Sequence, residues 1–167
     1  VEPGSEGLVF LPYLSGERTP HADPHARGAF VGLTLRHRRP HMTRAVLEGV
    51  AFGIRDNFAL MREVGLEAID QVRVSGGGAK SPLWRQILAD VCGVDLQVVK
   101  TTEGAAFGAA LLAGMGTGIW ASAEEACRAG VELGETTSPN PEVQSLYEST
   151  YLRFREHYPA VAPLYRE

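Results

Sequence analysis

Three consecutive glycines, Gly76, Gly77 and Gly78, separate an apolar run from a helix start, and the chain is organised around that order. Val72, Arg73 and Val74 alternate as a half-buried strand does. Beyond the glycines, Ser81 offers a side-chain oxygen as a helix cap, and Pro82 stands where the first helical residue belongs. Leu83, Ile87 and Leu88 give the helix an apolar face. Glycine lets the backbone approach a ligand with no Cβ in the way. A helix start adds unpaired N–H groups and the positive end of a dipole. Strand, bare turn and helix start together suit an anionic ligand such as a nucleotide. The same stretch is equally well read as a glycine-rich turn that binds nothing.

The 167 residues fit one domain of ordinary size. Hydrophobic residues make up 44% and charged residues 22%, the balance of a globular protein with a sizeable core. A formal net charge of −4 leaves no basic excess to displace counterions, which argues against nonspecific nucleic-acid binding. No apolar run reaches the roughly 20 residues that span a bilayer, and no secretory signal heads the chain. The chain begins at Val1 rather than Met, which makes a fragment or a processed product the expectation. Cys92 and Cys127 share no metal-ligand or redox spacing. Both are expected to be buried free thiols, in keeping with a reducing, cytoplasmic setting.

Residues 1–6 are polar and expected to fray. Residues 7–14 form an apolar run that Pro12 should end near Leu11. A polar loop, 15–27, carries Glu17, Arg18, His21, Asp23 and His25, and unstructured loops of that length are usually functional or disordered. Residues 28–35 suggest a second strand. Met42, Ala45, Val46, Val50, Ile54, Phe58 and Met61 recur at helical spacing over residues 41–66, with Gly65 as the stop. Ala45, Gly49 and Gly53 form a thin strip along which another element, or a partner in a homodimer, can pack closely. The helix from Ser81 should run to about Val91 and stop at Gly93, before a strand over 95–99. Residues 102–114 make an alanine-rich helix with Gly104 and Gly108 on one face. Ser122 with Glu125 matches a capping box for a short helix, and 136–141 reads as a linker. Asn140 can cap a last helix carrying Tyr147, Tyr151 and Phe154 in the core and ending near Pro159. Strands alternating with helices predict an α/β domain with a mixed sheet.

Three blocks together resemble the FGGY family of carbohydrate kinases. The first is the loop LPYLSGERTPHADPHARGAFVGL over 11–33. The second has Gly28, Phe30, Gly32 and Leu33, then seven residues, then His41, Met42, Ala45, Val46, Leu47 and Glu48. The third is SGGGAKSPLWRQILADV followed by EGAAFGAALLAG, which is similar to the family's adenosine motif and second connecting helix. Within the family, the xylulokinases are nearest in wording, and glycerol, gluconate and fuculose kinases share the pattern. The resemblance implies a ribonuclease-H-like lobe of the actin and hexokinase type, with a mixed sheet flanked by helices. This chain would be the single C-terminal, nucleotide-side lobe of a two-lobed sugar kinase using ATP and Mg2+. The sugar, the catalytic aspartate and most of the hold on magnesium would belong to an N-terminal lobe outside this chain.

By the same resemblance, Gly76, Gly77, Gly78 and Ser81 bind the nucleotide, with Gly77 and Gly78 passing beneath the adenosine and the α-phosphate and Ser81 near the adenine. Ser81 is also a plain N-cap on its own sequence. Lys80 can approach a phosphate or be a solvated lysine. Glu17 and Arg18 either line the cleft or form a surface ion pair of little energy. His21, Asp23 and His25 lack a third strong ligand or a helical frame, so no metal site is assigned. Asp56 and Asp90 are read as solvated, and Gly104 and Gly108 as close-packing positions.

Overall fold

The alternation of Val72 and Val74 becomes β3 (Val72–Val74), which lies parallel to β4 (Leu96–Val99) in the register Val72↔Leu96 and Val74↔Val98. The computed structural model describes all residues except 67, 68, 70, 101–103, 166 and 167. β5 (Leu133–Thr137) runs antiparallel to β4 on its other side, pairing Leu96 with Thr137 and Gln97 with Thr136. β4 is therefore central in a mixed three-stranded sheet. β1 (Val9–Leu11) and β2 (Ala29–Val31) form a separate antiparallel pair, with Phe10 opposite Phe30. The strand of the first apolar run ends at Leu11, one residue before Pro12, as proline's missing donor requires.

β5 takes Thr136 and Thr137 from the expected linker over 136–141, and 138–140 remain without regular structure. The sequence of β5, LGETT, lacks apolar alternation because most of it is exposed. The open edge of β4 supplies hydrogen-bond partners, and Thr136 and Thr137 are β-branched residues that suit a pleated edge.

Among the described residues, five α-helices cover the sheets. α1 (Arg39–Glu63) begins two residues before the expected start. The Arg38 N–H donates to His41 Nδ1 at 3.0 Å, and Pro40 occupies the first turn. Just beyond its end, Gly65 has a φ of +101°, which lets the chain leave in a left-handed turn. α2 (Pro82–Cys92) is capped by Ser81, whose Oγ accepts from the Trp84 N–H at 3.3 Å, and Gly93 at φ +67° ends it. α3 (Gly104–Gly116) is described only from Gly104, so its expected start at Thr102 lies outside the described residues. α4 (Ala123–Gly130) is capped by Ser122 Oγ, which accepts from the Glu125 N–H at 3.2 Å. α5 (Gln144–Val161) passes through Pro159 instead of ending there, since a missing donor so near the end removes one bond only.

The core gathers Leu11, Phe52, Ile87, Val91, Tyr147 and Phe154 between β1, α1, α2 and α5. Of the small-residue strip on α1, Ala45 and Gly49 are buried within the chain, Ala45 in a second small cluster with Leu8 and Phe10, and Gly53 is half-buried. A Cβ on Gly49 would lie 2.1 Å from the Phe10 carbonyl oxygen, so α1 rests directly on β1. Gly104 and Gly108 do the opposite of what was expected. Among the described residues, no other element comes within 4 Å of where a Cβ on either would lie. The close-packed glycine of α3 is Gly114, against Trp120.

Three further expectations are corrected. The first residues do not fray, because Gly4 and Ser5 are buried. The Gly4 N–H donates to Glu48 Oε1 at 2.8 Å, and the Tyr147 hydroxyl donates to the same oxygen at 2.9 Å. Asp56 and Asp90 are not solvated. Asp56 is 3% exposed and accepts from the Tyr151 hydroxyl at 2.6 Å, while Asp90 accepts from Gln86 Nε2 at 2.8 Å and the Asn140 N–H at 2.7 Å. Burial raises the Asp56 carboxyl above its ordinary value. Cys92 is buried and its thiol is pushed up to about 12 by that burial, whereas Cys127 is exposed. Among the described residues, no helix is long and apolar enough to cross a membrane.

Candidate functional site

β3 delivers the chain to the glycine turn, and α2 takes it away. Between them, residues Gly78–Lys80 form one short helical turn, closed by the Lys80 N–H on the Gly77 carbonyl at 3.2 Å and the Ser81 N–H on the Gly78 carbonyl at 3.0 Å. Gly76, Gly77, Gly78, Lys80 and Ser81 are all exposed. The three glycines are there for different reasons. Gly76 has a φ of +86°, a conformation side chains disfavour. At Gly78 a Cβ would lie 3.2 Å from the Trp84 ring. Gly77 is right-handed, with no described residue within 4 Å of its side-chain position, so the described residues give no reason for glycine there. The amides of Gly76 and Gly77 donate to no group among the described residues. The turn thus leaves donors open at the start of a capped helix, which is the arrangement that favours an anion.

A groove of about 390 Å3 opens beside the first turn of α2, where Leu83 meets Arg39, Pro40, Thr43 and Leu47. Arg44 and Val1 complete its lining.

Arg85, which the sequence reading did not single out, is buried against the glycine turn. Its side chain is 6% exposed. Nη1 donates to the Ala79 carbonyl at 2.6 Å, Nη2 pairs with the Glu135 carboxylate, and Nε donates to Thr137 Oγ1 at 3.4 Å. The signal was present, since Arg85 sits three and four residues before Leu88 and Ala89 and therefore faces inward with them.

Arg18 is not brought to the glycine turn within this chain. It lines a separate hollow of about 590 Å3 with Ser15, Gly16, Glu17, Ala22 and Pro24. Glu17 does not pair with it; Glu17 Oε1 accepts instead from the Thr19 N–H at 2.9 Å. His21 and Asp23 staple this loop to α5. The His21 ring stacks on Tyr158 with centroids 3.9 Å apart, and the Tyr158 hydroxyl donates to Asp23 Oδ2 at 2.7 Å. The His25 N–H donates to the other Asp23 oxygen at 2.8 Å.

This chain is similar to known sugar kinases along nearly all its length. It is 39% identical over 155 residues to a xylulose kinase of Staphylococcus epidermidis, covering 93% of this chain and 31% of that one. It is 40% identical over 118 residues to a gluconokinase of Bacillus subtilis, covering 71% of this chain and 23% of that one. The crystal structure of ligand-bound xylulose kinase from Lactobacillus acidophilus superposes with a TM-score of 0.88 at 32% identity, over 99% of this chain and 33% of that chain. The chain therefore spans about a third of the length of the xylulose kinases it matches. The α/β lobe of the actin and hexokinase type expected from the sequence is the fold observed, with its mixed sheet flanked by helices. The model of the FGGY family of carbohydrate kinases, C-terminal domain, matches residues 1–117, and the chain belongs to that family.

Proposed function

We propose that this chain is the nucleotide-side lobe of a two-lobed sugar kinase. The complete enzyme would move the γ-phosphoryl group of ATP to a hydroxyl of D-xylulose, giving D-xylulose 5-phosphate. The main support is Gly77, a solvent-open glycine that nothing among the described residues requires, at a helix start in a member of this family. Here Gly76, Gly77 and Gly78 bind the nucleotide, with Gly77 and Gly78 beneath the adenosine and the α-phosphate, where a side chain would collide. Ser81 caps α2 and lies near the adenine, so its two readings are compatible. Lys80, exposed at the end of the turn, faces the phosphate side. Arg18 lines the cleft from the 15–27 loop.

Phosphoryl transfer needs an in-line acceptor, charge stabilisation at the equatorial oxygens and a group to take the acceptor proton. This chain supplies nucleotide positioning. The acceptor sugar and the aspartate that takes its proton belong to the N-terminal lobe. Among the described residues, no group of three His, Cys, Asp or Glu side chains is placed to hold a metal ion. Membership of this family supports magnesium as a cofactor that would be held mainly by the nucleotide and the N-terminal lobe.

Gluconate is the second acceptor to consider, because the Bacillus subtilis gluconokinase is 40% identical, although over 71% of this chain against 93% for the Staphylococcus epidermidis xylulose kinase. A coupled assay of ADP release by the full-length enzyme, with D-xylulose, gluconate and glycerol in turn, decides. D-xylulose is expected to be fastest, with no turnover by the 167-residue chain alone. Turnover by that chain alone, or no sugar-dependent ADP release by the full enzyme, contradicts the proposal.

A further inference from the structure

A turn of three glycines has little stiffness of its own, because glycine allows more backbone conformations than any other residue. Its shape must be held from outside. Arg85 does this from beneath. Its Nη1 donates to the Ala79 carbonyl at 2.6 Å, inside the turn. Its other two nitrogens reach Glu135 and Thr137 on β5. One side chain thus joins the turn to the edge strand of the sheet.

The consequence for the turn is chemical as well as mechanical. The carbonyls of Gly77, Gly78 and Ala79 are taken by Lys80, Ser81 and Arg85, all from within the chain. Among the described residues, the N–H groups of Gly76, Gly77, Gly78 and Ala79 and the carbonyl of Gly76 are left without a partner. A buried guanidinium is an unfavourable way to fasten a helix to a strand, since apolar packing does so without taking a charge from water. Its planar fork, however, fixes direction as well as distance.

We infer that Arg85 is a positioning residue for the nucleotide, acting through Ala79 and touching no substrate itself. Glu135 and Thr137, which lie outside the residues matched by the family model, complete the clamp. The inference rests on the nucleotide role proposed above for the turn.

Steady-state kinetics of the full-length enzyme test it. Arg85→Met is expected to raise KM for ATP about tenfold, the scale of a small misplacement, with KM for D-xylulose unchanged. Arg85→Lys keeps the charge but not the fork and falls between. Glu135→Ala, at a side chain 68% exposed, gives a smaller rise with an unchanged thermal midpoint. The double variant Arg85→Met/Glu135→Ala is no worse than Arg85→Met, because both act through one clamp. If Arg85→Met does not fold, Glu135→Ala and Thr137→Val carry the test, and an unchanged KM for ATP in both overturns the inference. Equal rises in both KM values with a falling midpoint mark a merely structural role and also overturn it. A wild type with no ATP-dependent phosphorylation overturns the functional reading and this inference with it. An active wild type whose KM for ATP ignores all these substitutions overturns this inference alone.

Discussion

His21 lies flat on Tyr158 and shares a hydrogen bond with the Tyr13 hydroxyl at 3.1 Å. Burial holds its imidazole below the ordinary value, against the opposite pull of Asp56, Glu17 and Asp23 and with a small contribution from Arg155 in the same direction. A depressed imidazole means that the unfolded chain takes up the proton first as pH falls. The contribution of neutral His21 is therefore full above the ordinary imidazole range and is lost as pH drops through it. Urea unfolding of wild type and His21→Gln should show a stability gap that shrinks as pH falls from about 7.5 to about 5. A gap that stays constant over that range contradicts the assignment. Residues whose partners are close in sequence were legible from the sequence. Ser81 caps α2 through a group three residues away. Residues with distant partners were not. Asp56 meets Tyr151 95 residues on, Asp90 meets Asn140 50 residues on, and Glu48 meets Tyr147 99 residues on. A carboxylate seen only in its own helix looks solvated, and nothing local announces the donor that will bury it.

At the scale of elements, helices were easier to find than strands because they carry their own period. α1, α2 and α4 begin or end at recognisable caps, and the structure keeps them within a few residues of where the sequence puts them. β5 has no period to find, since its strand character comes from the open edge of β4. Glycine is ambiguous in the same way. Gly49 and Gly108 both sit inside helices, yet one touches a neighbouring strand and the other touches nothing. Gly49→Ala should lower the stability of the chain by about 3 kcal/mol, because the new methyl has only the backbone of Phe10 to displace. Gly108→Ala should raise it by about 1 kcal/mol, the difference in helix propensity. Thermal or denaturant unfolding of the two variants checks both signs, and equal effects would mean that α1 does not rest on β1 as described.

Over the whole molecule, the buried strip of α1, the core helices α2 and α5 and the clamp from Arg85 to β5 all support one open feature. The glycine turn projects from that support with the carbonyls of Gly77, Gly78 and Ala79 used and, among the described residues, the N–H groups of Gly76 and Gly77 open. The order of strand, turn and helix was visible in the sequence, as was the family likeness. What held the turn in place was not, because Arg85, Glu135 and Thr137 come together only when β5 pairs with β4. The central claim is that an adenine nucleotide lies on this turn, and titrating the isotope-labelled chain with ADP while following its backbone amides tests it most directly. The amides of Gly76, Gly77 and Ser81 should shift together and saturate, and Gly77→Ala should abolish the shifts while leaving the fold intact. Shifts confined to other parts of the chain, or a Gly77→Ala variant that responds to ADP as the wild type does, would contradict it.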